Sequence, residues 1–417
     1  MDRLVVYGGR PLSGNVRISG MKNAALPMMA ATILAPGTSF LDNVPELRDI
    51  STMAHLLRIF GAKVHRDGHT LEIDTSSCDF PEAPYELVST MRASFFVLGP
   101  LLARFGRAKV ALPGGCAIGP RPVDRHLKGL RALGARIEME GGYVIAEAER
   151  LRGGLVHFEV PSVGATENVL MAAVLAEGST AIENAAKEPE ISALADFLRR
   201  MGARISGDGT DRIEVEGVSS LSPARMAVPP DRIETATFLI AAAITGGDVT
   251  VEGCAPSHIT AVLGKLEEAG ARLNVEDARI RVEGPSKISP VDLVATPYPG
   301  YPTDLQPLHT ALMCLAEGTS LISDRVFPDR FTHVPELLRM GADISLEEGV
   351  AVVRGVEVLD GAPVMAPDIR AGASLVIAGL AARGKTVISR VYHIDRGYEH
   401  IEEKLQALGA EIYRESS

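Results

Sequence analysis

Four cysteines occur in the chain, and one of them stands apart. Cys116 lies in Pro113-Gly114-Gly115-Cys116-Ala117-Ile118-Gly119-Pro120-Arg121, a loop with three glycines and two prolines and little to bury against. A cysteine is usually a small buried hydrophobe, the reading taken for Cys78, Cys254 and Cys314. A thiol on a Gly-rich loop, five residues from an Arg and near other cations, has instead the setting of an acid or a nucleophile. The loop has the composition of a lid that closes on an anion. The cysteines lie far apart, with no CxxC pair and no His at a zinc partner's spacing. Neither a disulfide framework nor a structural metal site is expected.

A second set of chemically useful residues recurs at equivalent places. Six segments each run into an Ala-rich apolar stretch: GMKNAAL, TMRASFF, PSVGATEN, PPDRIETA, YPTDLQPL and APDIRAGA. Five carry charge within their first five residues, at Lys22, Arg92, Asp231 with Arg232, Asp304, and Asp368 with Arg370. The other has Ser162, Gly164 and Thr166, hydroxyl and backbone-exposing residues. Loops elsewhere in the chain add Arg48, Arg121, Lys187, Arg330 and Arg396. Pooled, Lys22, Arg92, Arg121, Arg330, Arg370 and Arg396 are expected to face one cleft, with Asp304 among them. A single Arg is most often a solvated salt bridge; six at matching places in a repeat are not so easily dismissed. Helix N-termini favour an anion, and forked guanidinium donors suit phosphate and carboxylate best.

The elements that must position these residues form a sixfold repeat. An apolar residue followed by Gly-Ala-x-apolar appears at Gly61, Gly134, Gly202, Gly270, Gly341 and Gly409. Before each glycine the apolar residues fall on one helix face, as in Ile191, Leu194, Phe197, Leu198 and Met201. The glycine then ends that helix in a left-handed conformation, and two strands joined by a polar turn follow. A second helix in each unit is apolar nearly all round, as in NVLMAAVLAE and TFLIAAAITG, and is therefore expected to be buried. The order is buried helix, strand, amphipathic helix, strand pair.

The sixth unit is one strand short, and the chain begins with an unassigned strand, LVVYGG. Pairing of the two ends is the economical inference. Units one to three then make a domain over 21–229, and units four to six with residues 1–20 make a second over 1–20 and 230–417. The linkers are Ser19-Gly20 and Ser219 to Pro230, two crossings that suit a hinge.

Composition agrees with a soluble enzyme-sized protein. The 417 residues are 46% hydrophobic and 23% charged, a globular balance with room for two domains. Net charge is −11 and there is no Trp, which suits neither a general nucleic-acid binder nor an aromatic base-stacking platform. The longest apolar run, Ala24 to Ala35, contains Pro27 and falls short of the roughly 20 residues a membrane span needs. The N-terminal MDRLVVYGGR lacks a signal-peptide core, and a cytoplasmic location is expected.

At these residues the chain resembles the enolpyruvyl transferase family, and within it the members that use UDP-N-acetylglucosamine. The resemblance runs end to end through SGMKNAALP at 19–27, PGGCAIGPRPVDRH at 113–126, PSVGATENVLMAA at 161–173 and PDRIE at 230–234. It continues through YPTDLQ at 301–306, RFTHVPEL at 330–337 and YHIDRGYE at 392–399. The Cys loop with its RPVD is the specific element. The resemblance implies an inside-out α/β barrel in two domains, each of three similar units with buried helices and outer sheets. It implies transfer of the enolpyruvyl group of phosphoenolpyruvate to the 3-hydroxyl of UDP-N-acetylglucosamine, without metal or organic cofactor, by a monomer.

Residue roles follow by the same resemblance. Cys116, Asp304, Lys22 and Arg396 match catalytic positions, with Asp304 as the base. Cys116 is left with three roles: acid, transient nucleophile, or product release. Lys22, Asn23, Arg92, Arg121, Arg330, Arg370 and Arg396 match the phosphoenolpyruvate site. Asn23, Arg92, Arg121, Pro122, Val123, Asp124, Ser162, Val163, Gly164, Asp304 and Val326 match the nucleotide-sugar site. Alkylation of Cys116 by the epoxide fosfomycin is implied as well. Three other readings compete. Transfer to shikimate 3-phosphate lacks the expected glycine-rich phosphate motif at TMRASFF; a ring-shaped clamp would need cations along its inner helices; a noncatalytic nucleotide-sugar sensor would not need the thiol.

Overall fold

The computed structural model describes residues 2–113 and 123–416; Cys116, Arg121 and Pro122 lie outside them. Contacts divide these residues into two compact units, one of 20–113 with 123–229 and one of 2–19 with 230–416. Each has its own hydrophobic core.

Among the described residues there are six four-stranded sheets, three in each unit, and they share one order. In the first, Arg225–Ala227 lies parallel to Thr38–Asp42, which pairs antiparallel with Thr70–Asp74, itself in a hairpin with Lys63–Asp67. Alternation sets the buried face: in Arg212–Glu216, Ile213 and Val215 point inward while Arg212, Glu214 and Glu216 remain exposed. The short parallel strands, such as Glu82–Ala83 and Arg225–Ala227, are absent from the sequence reading. Two or three residues are too few to show a period of two.

The inner helices are Lys22–Ala31, Leu98–Phe105, Val163–Ala173, Arg232–Thr245, Gln306–Met313 and Ile369–Ala381. They are buried nearly all round, as their composition requires: every residue of Arg232–Thr245 up to Ile244 is buried. Each large aliphatic side chain so placed contributes about 2 kcal/mol of transfer free energy. Two of these helices start in tighter form, with 3-10 segments Arg92–Val97 and Thr303–Leu305 leading into Leu98–Phe105 and Gln306–Met313. The helices lie inside and the sheets outside, the inside-out α/β arrangement.

The amphipathic helices pack outside the inner ones, and the glycine after each takes up the left-handed conformation. Gly61, Gly134, Gly202, Gly270, Gly341 and Gly409 have φ between 87° and 107°. The last sheet is completed from the start of the chain. Arg3–Tyr7 lies between Lys385–Ser389 and Glu411–Glu415, antiparallel to both, with Val5 opposite Val387 and Tyr413.

Candidate active site

In the unit of 2–19 and 230–416, three of the expected site residues form one ionic cluster. Asp304 sits in the 3-10 turn Thr303–Leu305. Its Oδ1 accepts a hydrogen bond from Arg330 Nη1 at 2.7 Å, and its Oδ2 accepts from Arg370 Nη2 at 3.2 Å and Nε at 3.3 Å. Both Arg side chains are only 3% exposed, whereas that of Asp304 is 26% exposed. The cluster therefore opens to solvent at the carboxylate. Arg330 Nε has no hydrogen-bond partner among the described residues.

Local sequence explains the placement. Asp368 caps the helix Ile369–Ala381, accepting from the backbone N–H groups of Arg370 at 2.9 Å and Ala371 at 3.0 Å, so Arg370 falls in the first turn. Asp324 accepts from the backbone of Val326 and Phe327, both at 2.8 Å, which shapes the turn leading to Arg330. Thr303 donates to Asp324 and accepts from Arg330 Nη1 at 3.1 Å, tying that turn to the one carrying Asp304. Val326 is thereby held in place, half-buried.

Arg396, half-buried, ends the 3-10 segment Val391–Arg396. Gly397 follows it closely past Arg370. A Cβ there would stand 2.5 Å from Ile369 Cγ2 and 3.5 Å from Arg370 Nη1, so a side chain is excluded. Nearby, burial holds His393 below its usual pKa, with the Arg396 charge acting in the same direction.

The other unit carries two groupings. Lys22 opens the helix Lys22–Ala31, is 7% exposed, and pairs with Asp49 Oδ2 at 3.2 Å. Pro27 has no N–H to give back to the Asn23 carbonyl, so the helix does not use that acceptor. Asn23 itself is half-buried.

The second grouping joins Arg92, His126 and the start of Val163–Ala173. Ser162 caps that helix, accepting from Ala165 N–H at 3.4 Å, and Val163 and Gly164 form its partly exposed first turn. The free N–H groups of a helix's first turn and the dipole's positive end favour an anion. A Cβ on Gly164 would stand 3.0 Å from Phe96 Cε1 and 3.2 Å from His126 Cε1, so a side chain there would crowd both rings.

His126 is carried by Asp124–Ala132, whose start places Val123 buried and Asp124 exposed. Burial, aided by the Arg92 charge, pushes the His126 pKa down to about 3, so the ring is neutral. Its tautomer follows from Asn168. The Asn168 Oδ1 accepts from Gly99 N–H at 2.6 Å, so its Nδ2 donates, to the Phe95 carbonyl at 2.9 Å and to His126 Nδ1 at 3.1 Å. His126 therefore carries its proton on Nε2, on the side of Gly164.

Asp49, His126, Asn168, Thr303 and Asp324 are absent from the sequence reading. Each works through a partner on another element, and no spacing along the chain announces it. The one available signal was Asp49, an acid in the first turn of Arg48–Ile59, which by itself reads as dipole compensation.

Six outer sheets around apolar helices, with guanidinium, carboxylate and open N-terminal turns at the helix starts, define the class. It is the fold of the enolpyruvyl transferases. The crystal structure of the enolpyruvyl transferase NikO from Streptomyces tendae matches with a TM-score of 0.90 at 26% identity, covering 100% of this chain and 99% of that one. EPSP synthase from Acinetobacter baumannii matches with a TM-score of 0.77 at 21% identity over all of both chains, a likeness of fold alone. The family model described as EPSP synthase (3-phosphoshikimate 1-carboxyvinyltransferase) matches residues 6–405, and the chain belongs to that family. Closer relatives carry a narrower name. The UDP-N-acetylglucosamine 1-carboxyvinyltransferase of Trichlorobacter lovleyi is 55% identical over 417 residues, and that of Myxococcus xanthus 54% over 420, each covering 100% of both chains.

Proposed function

We propose that this chain transfers the enolpyruvyl group of phosphoenolpyruvate to the 3-hydroxyl of UDP-N-acetylglucosamine with release of phosphate, the first committed step of peptidoglycan precursor synthesis. The observation that carries this is full-length identity of 55% to a relative bearing that activity in its name. Transfer to shikimate 3-phosphate is not favoured.

The chemistry needs an acid, a base and a cationic frame. Protonation of the donor's methylene carbon makes C2 electrophilic, and Cys116 is the candidate acid. The sugar hydroxyl then adds to C2 while its proton passes to Asp304. The tetrahedral adduct loses phosphate and a methyl proton, which leaves the vinyl ether. Lys22, Arg92, Arg121, Arg330, Arg370 and Arg396 hold the phosphate and carboxylate charge, a preorganised electrostatic contribution. Asp304 and an anionic donor compete for the same two guanidinium groups, so donor binding frees the carboxylate to act as base.

Asn23, Pro122, Val123, Asp124 and Val326 line the nucleotide sugar in this reading, and the turn Ser162–Gly164 takes its diphosphate. The two units act as domains, expected from the sequence to divide at 20/21 and 229/230; contacts divide the described residues at 19/20 and 229/230. The protein works as a monomer in the cytoplasm. No helix among the described residues is long and apolar enough to cross a membrane.

The test is phosphate release from phosphoenolpyruvate by the purified chain. UDP-N-acetylglucosamine should support turnover and shikimate 3-phosphate should not. Turnover with the second acceptor alone would overturn the reading, as would full activity of Cys116→Ala.

A further inference from the structure

One donor beside the helix start Ser162–Gly164 is left unused by the reaction above. His126 is 6% exposed, and its ring meets that of Phe95 edge-on, with centroids 5.2 Å apart and planes at 89°. Among the described residues its hydrogen bonding is confined to Nδ1, which Asn168 Nδ2 reaches at 3.1 Å. The other ring nitrogen adjoins the first turn of Val163–Ala173: a Cβ on Gly164 would stand 3.4 Å from His126 Nε2.

Proton counting makes that nitrogen a donor. Asn168 is fully buried, and its Oδ1 accepts from Gly99 N–H at 2.6 Å, which fixes the orientation of the amide. Its Nδ2 hydrogens go to the Phe95 carbonyl at 2.9 Å and to His126 Nδ1. An amide nitrogen only donates, so Nδ1 accepts and the ring proton sits on Nε2. Gly99 makes room for this arrangement, since a Cβ there would stand 2.4 Å from Asn168 Oδ1. The order runs from the inner helix Leu98–Phe105, through Asn168 on Val163–Ala173, to His126 on Asp124–Ala132. A donor on so buried a ring is short of water, and an anion at the adjoining turn supplies an acceptor.

We infer that His126 donates from Nε2 to the diphosphate of the nucleotide sugar, beside the turn Ser162–Gly164. Asn168 is the positioning residue that keeps the proton on that nitrogen. The inference rests on the enolpyruvyl transfer proposed above, which assigns the turn to that diphosphate.

Calorimetric titration, steady-state kinetics and ring 15N spectra of the full chain test it. His126→Phe keeps a ring against Phe95 and removes the donor. It should weaken UDP-N-acetylglucosamine at least about tenfold, the loss expected for one hydrogen bond to a charged group. KM for phosphoenolpyruvate should stay within about twofold. His126→Gln, whose amide nitrogen can stand in for Nε2, should recover most of the lost affinity. Asn168→Leu should let Nδ1 take a share of the ring proton and weaken the nucleotide sugar alone. In wild type the spectra should show the proton on Nε2, and saturating UDP-N-acetylglucosamine or UDP should move that signal more than Nδ1, a readout that needs no variant. Unchanged affinity in His126→Phe or Asn168→Leu, equal losses for both substrates, a wild-type proton on Nδ1, or an Nε2 signal indifferent to saturating UDP would overturn the inference. Failure of the wild-type chain to bind or turn over these substrates would instead strike at the proposed reaction itself.

Discussion

Replacing Asp304 by Asn keeps the side-chain shape and removes the charge that two buried guanidinium groups share. Arg330 and Arg370, each 3% exposed, then face one another without the carboxylate that bridges them at 2.7 and 3.2 Å. Breaking a fully buried ion pair costs about 3–5 kcal/mol, and the partial exposure of Asp304 places this case near the lower end. The unit of 2–19 and 230–416 should lose about 3 kcal/mol, which for a unit of this size lowers its melting temperature by roughly 6–12 °C. Inorganic phosphate can supply the missing charge. At about 100 times its Kd it returns about 2.7 kcal/mol. In wild type the carboxylate competes for the same donors, so phosphate should stabilise the variant more. Scanning fluorimetry of both proteins, with and without phosphate, reads this directly. Turnover of the variant should fall by about 10²–10⁴ through loss of the base. Equal melting temperatures without phosphate, or the same phosphate shift in both proteins, would refute the claim that Asp304 and an anion share one pair of donors.

The buried histidines predict acid sensitivity. Burial pushes His126 and His333 down to about 3 and His309 to about 4, so each is neutral in the fold but takes a proton below about 6.5 once unfolded. The unfolded chain binds more protons, and stability should fall from pH 6.5 toward 4 by up to about 1.4 kcal/mol per unit for each histidine; a flat urea-denaturation profile over that range would contradict this. Glu167 works the other way: burial, with Glu190 and Glu188 adding to it, holds its carboxyl well above the usual range. It keeps a proton that the unfolded chain releases, so Glu167→Gln should raise the melting temperature, and more at pH 8 than at pH 5. Burial lifts the thiols of Cys78 to about 11 and Cys314 to about 12, so neither should alkylate at pH 7.5. Mass spectrometry after fosfomycin treatment with UDP-N-acetylglucosamine should find one adduct, on Cys116, and an adduct on any buried cysteine would count against the thiol assignment.

The repeat and the inside-out arrangement could be read from the chain because both rest on local signals. Six Gly-Ala steps demand positive φ wherever they occur, and Ala-rich stretches apolar all round have nowhere to go but inward. Charged residues at the helix starts were visible for the same reason. Their partners were not. Nothing near Lys22 points to Asp49, and nothing near His126 points to Asn168, since those pairings depend on how separate elements pack. The 3-10 start at Thr303–Leu305, which aims Asp304 at two guanidinium groups, likewise reflects packing rather than propensity.

The placement of Arg3–Tyr7 in the middle of the last sheet bears on how the protein is made. The unit of 20–229 has all its strands once Ala227 has left the ribosome, and it can close while synthesis continues. Residues 3–7 are made long before their neighbours, Lys385–Ser389 and Glu411–Glu415. Throughout that delay Leu-Val-Val is an open strand edge, the kind of segment that joins other chains. Shielding of that early-made strand, rather than the speed of any later step, should therefore govern how much of this polypeptide reaches its native state.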